Sequence, residues 1–163
     1  MTNQPGRMAV ADLRIRVADP DDVDVLTDFN CRLALETERK ILDPVTVRNG
    51  VTRGLSVGEE VQYWVADEDG VVAGQLMLTR EWSDWRDGWM YWLQSVYVVA
   101  ERRGQGVFRR LLEHVMQQLR NRTDVCCLRL YVEDENHAAM ESYRRLGFEE
   151  PGYRVMEVSL QQH

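Results

Sequence analysis

The sequence predicts a mixed α/β (α+β) fold, one twisted sheet with flanking helices, and three observations predict it. At 163 residues, with 44% hydrophobic and 29% charged residues, the chain suits one ordinary domain with a buried core. Along it the apolar spacing switches between 2, the period of strands, and 3.6, the period of helices. Between two β-rich runs stands Asp69-Gly70, a pair that tolerates the positive φ angles of a tight hairpin. The predicted order is β-α-α-β-β-β-α-β-α-β over residues 13–160. Residues 1–163 are expected to form a single domain, with 1–10 a flexible terminus.

Leu13, Ile15 and Val17 alternate with Arg14 and Arg16, the pattern of a half-buried strand. Asp19-Pro20-Asp21-Asp22 opens a helix with acids at its positive end, and Val23, Leu26, Phe29 and Leu33 carry it to about Arg39. Asp43-Pro44 starts a second helix through Val47, Val51 and Leu55, weakened by Gly50 and Gly54. Residues 62–68 and 71–79 form the hairpin strands. Residues 89–100 are apolar on both alternations, as in a central strand covered on both faces. From Val107 the period becomes helical, with Leu111, Leu112, Val115 and Leu119 on one stripe. Residues 125–132 are again strand. Asn136 caps a short helix bearing Met140, Tyr143 and Leu146 and closed by Gly147, and residues 153–160 complete the pattern as a last strand.

Twenty basic against twenty-seven acidic residues give a net charge of −7, which disfavours a general nucleic-acid binder, since such proteins need a basic face to replace counterions. Cys31, Cys126 and Cys127 have neither metal-ligand spacing nor C-x-x-C, so no metal is expected and a reducing cytoplasm fits best. No window approaches the roughly 18 apolar residues of a membrane span. A cytoplasmic protein is expected, with no membrane partner.

Two stretches carry chemistry. Arg103-Gly104-Gln105-Gly106-Val107-Phe108 joins a buried strand to a helix, where small residues let backbone amides approach an anion and the helix dipole favours negative charge. A tight turn with no ligand fits the same glycines. A dinucleotide fingerprint needs a third Gly where Arg109 stands, and a Walker loop needs Gly-Lys-Ser/Thr, so ordinary NAD and ATP sites are disfavoured. The second stretch runs from Glu81 through Trp82, Asp84, Trp85 and Asp87 to Trp89, with Trp92 beyond. Read as a loop between central strands, its rings and carboxylates make a wall for an ammonium-bearing acceptor, and Glu36 from the first helix completes the pocket. Read as an edge hairpin stapled by Trp packing, it is a structural element or a homodimer contact.

Val96-Tyr97-Val98 ending a strand, Arg103-x-x-Gly106 opening a helix, then Asn136, Tyr143 and Leu146-Gly147-Phe148, together resemble the acetyl-CoA-binding motifs of the GNAT N-acetyltransferase superfamily. The motifs cover residues 93–148, and the element order from Leu13 to Leu160 also resembles the family's. The resemblance implies a mixed, mostly antiparallel sheet. It implies that the backbone of Gly104, Gln105, Gly106, Val107, Phe108 and Arg109 holds the CoA pyrophosphate, and that Val96 to Val98 bond pantetheine along a splayed strand. The amide near Val98 would face the thioester carbonyl, where negative charge grows as an amine attacks. Asn136 would contact the pantetheine arm. Tyr143 would protonate the departing thiolate, a phenol of pKa about 10 being neutral at pH 7.

The chain departs from the family pattern in three places. Phe108 stands where Gly or Ala is usual, residues 90–100 hold no carboxylate, and Tyr131 occupies a position that another subgroup uses for a base. Glu36, Glu81, Asp84, Asp87 and Glu133 remain as candidate bases, beside a water chain. The expected activity is acetyl-CoA-dependent N-acetylation by direct attack of a primary amine on a small cationic acceptor, and the alternative is a non-catalytic acyl-CoA-binding or sensing module.

Overall fold

A computed structural model describes residues 13–160. The chain divides into two compact units, Met1–Leu130 and Tyr131–His163. The expected flexible terminus, residues 1–10, lies outside the described residues.

The first unit is built on a five-stranded sheet in the order β1-β2-β3-β4-β5. Its strands are β1 (Leu13–Val17), β2 (Val61–Glu68), β3 (Val71–Ser83), β4 (Gly88–Val98) and β5 (Val125–Leu130). Neighbours are antiparallel except β4 and β5, which run parallel because α3 (Val107–Arg120) crosses between them. Helices α1 (Val23–Glu38) and α2 (Pro44–Ser56) cover one face. There Val23, Leu26 and Val51 bury themselves against Tyr63 and Val65. Leu111, Leu112, Val115 and Leu119 of α3 are buried, and Val115 and Leu119 share a groove with Trp64 and Leu78 from the opposite alternation of β2 and β3.

Local chemistry explains the boundaries. Asp19 accepts from the Asp21 N–H and heads a short 3₁₀ turn, Pro20–Asp22, that leads into α1. Asp43 accepts from the Val45 and Thr46 N–H groups and caps α2. Asp69 (φ 52°) and Gly70 (φ 87°) make the predicted hairpin turn. Arg16 donates two bonds to Asp22, at 2.7 and 2.9 Å, and one to Asp67 at 2.9 Å, which ties β1 to the turn and to β2. Burial works to raise the Asp22 pKa, but the bonds from Arg16 and the Asp19 N–H win and hold it below its usual value.

The Trp-rich stretch is not an open loop. β3 runs on to Ser83 and β4 begins at Gly88, so cross-strand pairing leaves only a tight turn between them. The second unit contains α4 (His137–Arg145), capped by Asn136 and followed by Gly147 at φ 91°. Residues 153–160, expected as a strand, form none. Their apolar members are exposed, from Val155 to Leu160, because alternation supplies propensity whereas a strand exists only when its backbone finds a ladder.

Candidate active site

The parallel ladder of β4 with β5 stops at Leu93↔Leu130. β3 continues alongside β4, but its register slips. Gln75 pairs with Tyr97 and Met77 with Gln94, so Leu76 stands against both Ser95 and Val96. The extra residue makes a β-bulge, and Ser95 adopts φ 50°, a left-handed conformation that is uncommon outside Gly, Asn and Asp. Beyond it, the Val99 N–H donates to Ala73 O at 3.0 Å. By the alternation of extended backbone, Val98 and Val96 then turn their amides away from β3, toward the side that β5 has left. The result is a strand end with free donors along one edge.

That edge leads into a basic loop. Gly104 (φ 73°) and Gly106 (φ 80°) take left-handed conformations, and a Cβ at either would meet nothing within 4 Å. Gly106 is also the N-cap of α3 and offers no side chain, so the helix begins without a side-chain cap. Arg103 donates from Nε to Val98 O at 2.9 Å and holds the loop against the end of β4. Gln105 donates to Glu101 O at 2.8 Å and accepts from Arg102, which also pairs with Glu68. Arg109 pairs with Glu113 one turn along α3, Val107 is buried, and Phe108 is half-buried.

Glu36 belongs to this end of the sheet. Its carboxylate accepts from Tyr97 Oη at 3.0 Å and from Arg103 Nη2 at 2.6 Å, while the Arg103 guanidinium lies 5.3 Å from the Tyr97 ring centroid. The Arg103 bond, helped by Tyr97, holds the Glu36 carboxyl below its usual range. Burial first, then the bond to Glu36, pushes the Tyr97 phenol up. Glu36 therefore does not complete a pocket with the Trp stretch. Eight residues of β4 separate Tyr97 from Trp89, roughly 26 Å at about 3.3 Å per residue. At that far end Trp82 and Trp89 meet edge to face at 5.0 Å, Arg80 sits 4.1 Å over the Trp89 ring, and Glu81 accepts from Trp92 Nε1 at 2.8 Å. Trp85, in the turn with Asp84 and Asp87, is 89% exposed.

In the second unit Asn136 Oδ1 accepts from the Ala139 N–H at 3.1 Å, which makes Asn136 a helix cap. Tyr143 packs edge to face on Phe148 at 5.5 Å, and burial raises its pKa above the ordinary phenol value. Its hydroxyl is therefore protonated throughout the physiological range. Glu133 is exposed there, and β5 ends at Leu130, one residue before Tyr131.

Three residues of this site escaped the sequence. Gly74 is one: a Cβ there would lie 3.1 Å from Tyr97 O and 3.2 Å from the Val107 and Val98 side chains, so its absence lets the start of α3 close on the end of β4. A glycine inside a β pattern was the available signal. Gln75 and Ser95, joined by a hydrogen bond from Gln75 Nε2 to the Ser95 carbonyl, left none.

The sequence model of the acetyltransferase (GNAT) family matches residues 32–148. A protein of Agrobacterium fabrum described as an acetyltransferase is 29% identical over 117 residues, 72% of this chain and 79% of that one. The crystal structure of "a possible acetyltransferase" from Clostridium difficile superposes with a TM-score of 0.88 at 37% identity, covering 92% of this chain and 99% of the other. A "predicted acetyltransferase" of Clostridium acetobutylicum, solved with acetyl-CoA, shares the fold at a TM-score of 0.74 and 16% identity, over 91% and 96% of the two chains. The chain belongs to the acetyltransferase (GNAT) family.

Proposed function

We propose that this member of the GNAT family is an acetyl-CoA-dependent N-acetyltransferase that moves an acetyl group directly to a primary amine of a small cationic acceptor. The observation that carries the reading is the end of β4. There the Val96 and Val98 amides are free of β5 and run into two left-handed glycines and an uncapped helix N-terminus. A pyrophosphate suits the amides from Gly104 to Arg109, since they supply donors and the positive end of the α3 dipole together. A pantetheine arm, itself two amides in a chain, suits the strand edge that β5 vacates.

The chain's own groups then divide the work. An amide of residues 96–98 stabilises the thioester oxygen as negative charge develops on it. The amine nitrogen forms the new C–N bond, the C–S bond breaks, and Tyr143 gives its proton to the departing sulfur. The amine's surplus proton leaves to water. Glu36 is assigned no part as the base, because its bonds to Arg103 and Tyr97 lower its basicity. Asn136 is proposed to contact the pantetheine arm in addition to capping α4.

Thermal unfolding with acetyl-CoA, CoA, NAD and ATP in parallel tests the cofactor. At about 100 times Kd a ligand adds roughly 2.7 kcal/mol, a midpoint rise of several degrees, expected for acetyl-CoA and CoA alone. No rise with either at millimolar concentration overturns the reading. An amine panel with labelled acetyl-CoA then tests transfer, and binding without transfer to any amine makes the protein an acyl-CoA-binding module instead.

A further inference from the structure

Gln75 is a fully buried amide in the middle of β3, at 0% exposure, where the neighbouring strand positions are apolar. Its Nε2 donates to Asn30 Oδ1 of α1 at 2.8 Å and to Ser95 O at 3.1 Å. The Ser95 carbonyl can only accept, so the orientation of the Gln75 amide is dictated by that bond. Its Oε1 is left buried with no hydrogen-bond partner. A leucine or methionine would fill the same volume without an unmet acceptor, so core packing does not account for a glutamine here. What the amide adds is a hold on one particular carbonyl. Ser95 is the residue the bulge inserts, and the register slip removes its carbonyl from regular pairing with β3.

We propose that Gln75 and Asn30 form a clamp that holds the left-handed bulge at Ser95 and thereby sets where the Val96 and Val98 amides stand. They are positioning residues: neither touches the reacting atoms, and both act through the β4 backbone. The proposal deepens the acetyl-CoA reading and rests on it for the identity of what those amides bind. The chain of contacts is short. Asn30 anchors the amide to α1, the amide anchors the Ser95 carbonyl, and Ser95 is followed directly by Val96. A side chain that lets go of Ser95 frees the bulge to migrate or flatten, because a serine held at φ 50° relaxes readily to ordinary strand angles.

The test uses Gln75→Leu, Asn30→Ala and Asn30→Asp in the full chain, with calorimetric binding of acetyl-CoA and of 3′-phospho-ADP, which carries the pyrophosphate but no pantetheine. In Gln75→Leu the acetyl-CoA affinity is expected to fall about tenfold while 3′-phospho-ADP affinity stays within about twofold. Asn30→Ala repeats the effect in weaker form, and Asn30→Asp, which keeps an oxygen for Gln75 to donate to, restores it. Adding Ser95→Gly to Gln75→Leu recovers part of the loss, since glycine holds a positive φ without help. A folded Gln75→Leu that binds acetyl-CoA like the parent overturns the clamp, as does an equal loss for both ligands. Backbone NMR shifts of residues 95–98, recorded without ligand, test the clamp apart from the cofactor: parental shifts in Gln75→Leu, or in Asn30→Ala should Gln75→Leu not fold, overturn it. A parent that binds neither nucleotide overturns the acetyl-CoA reading while those shifts still decide the clamp.

Discussion

At the Gly88 end of β4 the backbone is engaged on both sides, by β3 and by β5, and side chains pack along it: Trp82 on Trp89, Arg80 over the Trp89 ring, Trp92 tied to Glu81. At the Val98 end β5 has gone, a bulge breaks the β3 register, and side chains bind the backbone only at chosen points: Gln75 on Ser95 O and Arg103 on Val98 O. One end spends its donors on the fold. The other leaves Val96 and Val98 beyond the β5 ladder, and it meets the two left-handed glycines that precede α3. Side-chain richness thus does not mark where the backbone of this strand is open, since the aromatic end is laddered on both sides and the plainer end on one.

Five substitutions sharpen or break that contrast. The largest effect is expected outside both ends, in Tyr143→Phe: turnover falls about 10²-fold or more with acetyl-CoA affinity retained, as befits an acid used only when the thiolate leaves. Equal turnover in steady-state assays removes Tyr143 from the chemistry. Next comes Gly106→Val, which puts a β-branched side chain at φ 80° where the α3 amides begin. Acetyl-CoA binding is expected to weaken by roughly tenfold or more on the cost of left-handed backbone. Calorimetry reads it, and an unchanged Kd means the loop is a turn and nothing more.

At the other end Trp82→Ala should leave acetyl-CoA affinity alone and cost about 1–2 kcal/mol of stability, a midpoint drop of several degrees, from the lost edge-to-face pair. Trp85→Ala, at 89% exposure, is its control and should shift stability by under about 0.5 kcal/mol. If Trp82→Ala weakens acetyl-CoA binding as much as Gly106→Val does, the two ends are not separate in function. The smallest effect is a pH dependence. Glu36 has its folded pKa lowered by Arg103, so its contribution to stability is complete above the unfolded value of about 4.3 and is lost as pH falls through the folded value. The melting difference between the parent and Glu36→Gln should therefore hold from neutral pH to about 5 and close in stronger acid. A difference that grows in acid contradicts the Glu36–Arg103 contact.

Much of this was legible in the residues. Apolar spacing, β-rich runs and the residues that cap or turn the chain placed α1 to α4 and the first five strands, because these signals act within a few residues whatever the distant neighbours are. Asp19, Asp43, Asn136 and the Asp69-Gly70 turn could be read because caps and turns are satisfied within a few residues of the chain. The glycine loop between β4 and α3 was visible for the same reason. Residues 153–160 misled, since alternation states a preference for strand and says nothing of whether a partner edge is on offer. Grouping Glu36 with the Trp stretch misled as well, for sequence carries no measure of which end of a strand a distant helix reaches.

By itself, then, the sequence determined α1 to α4, β1 to β5 and their order, the glycine loop between β4 and α3, and the motifs that mark the family, all of them matters of local spacing. Only the tertiary structure decided that β5 leaves β4 after Leu93, that Ser95 carries the bulge, that Gln75 holds it, and that Glu36 closes on Arg103. Each depends on register between strands, or on contacts 20 to 67 residues apart, and a one-residue slip in pairing leaves no mark on hydrophobic period or composition.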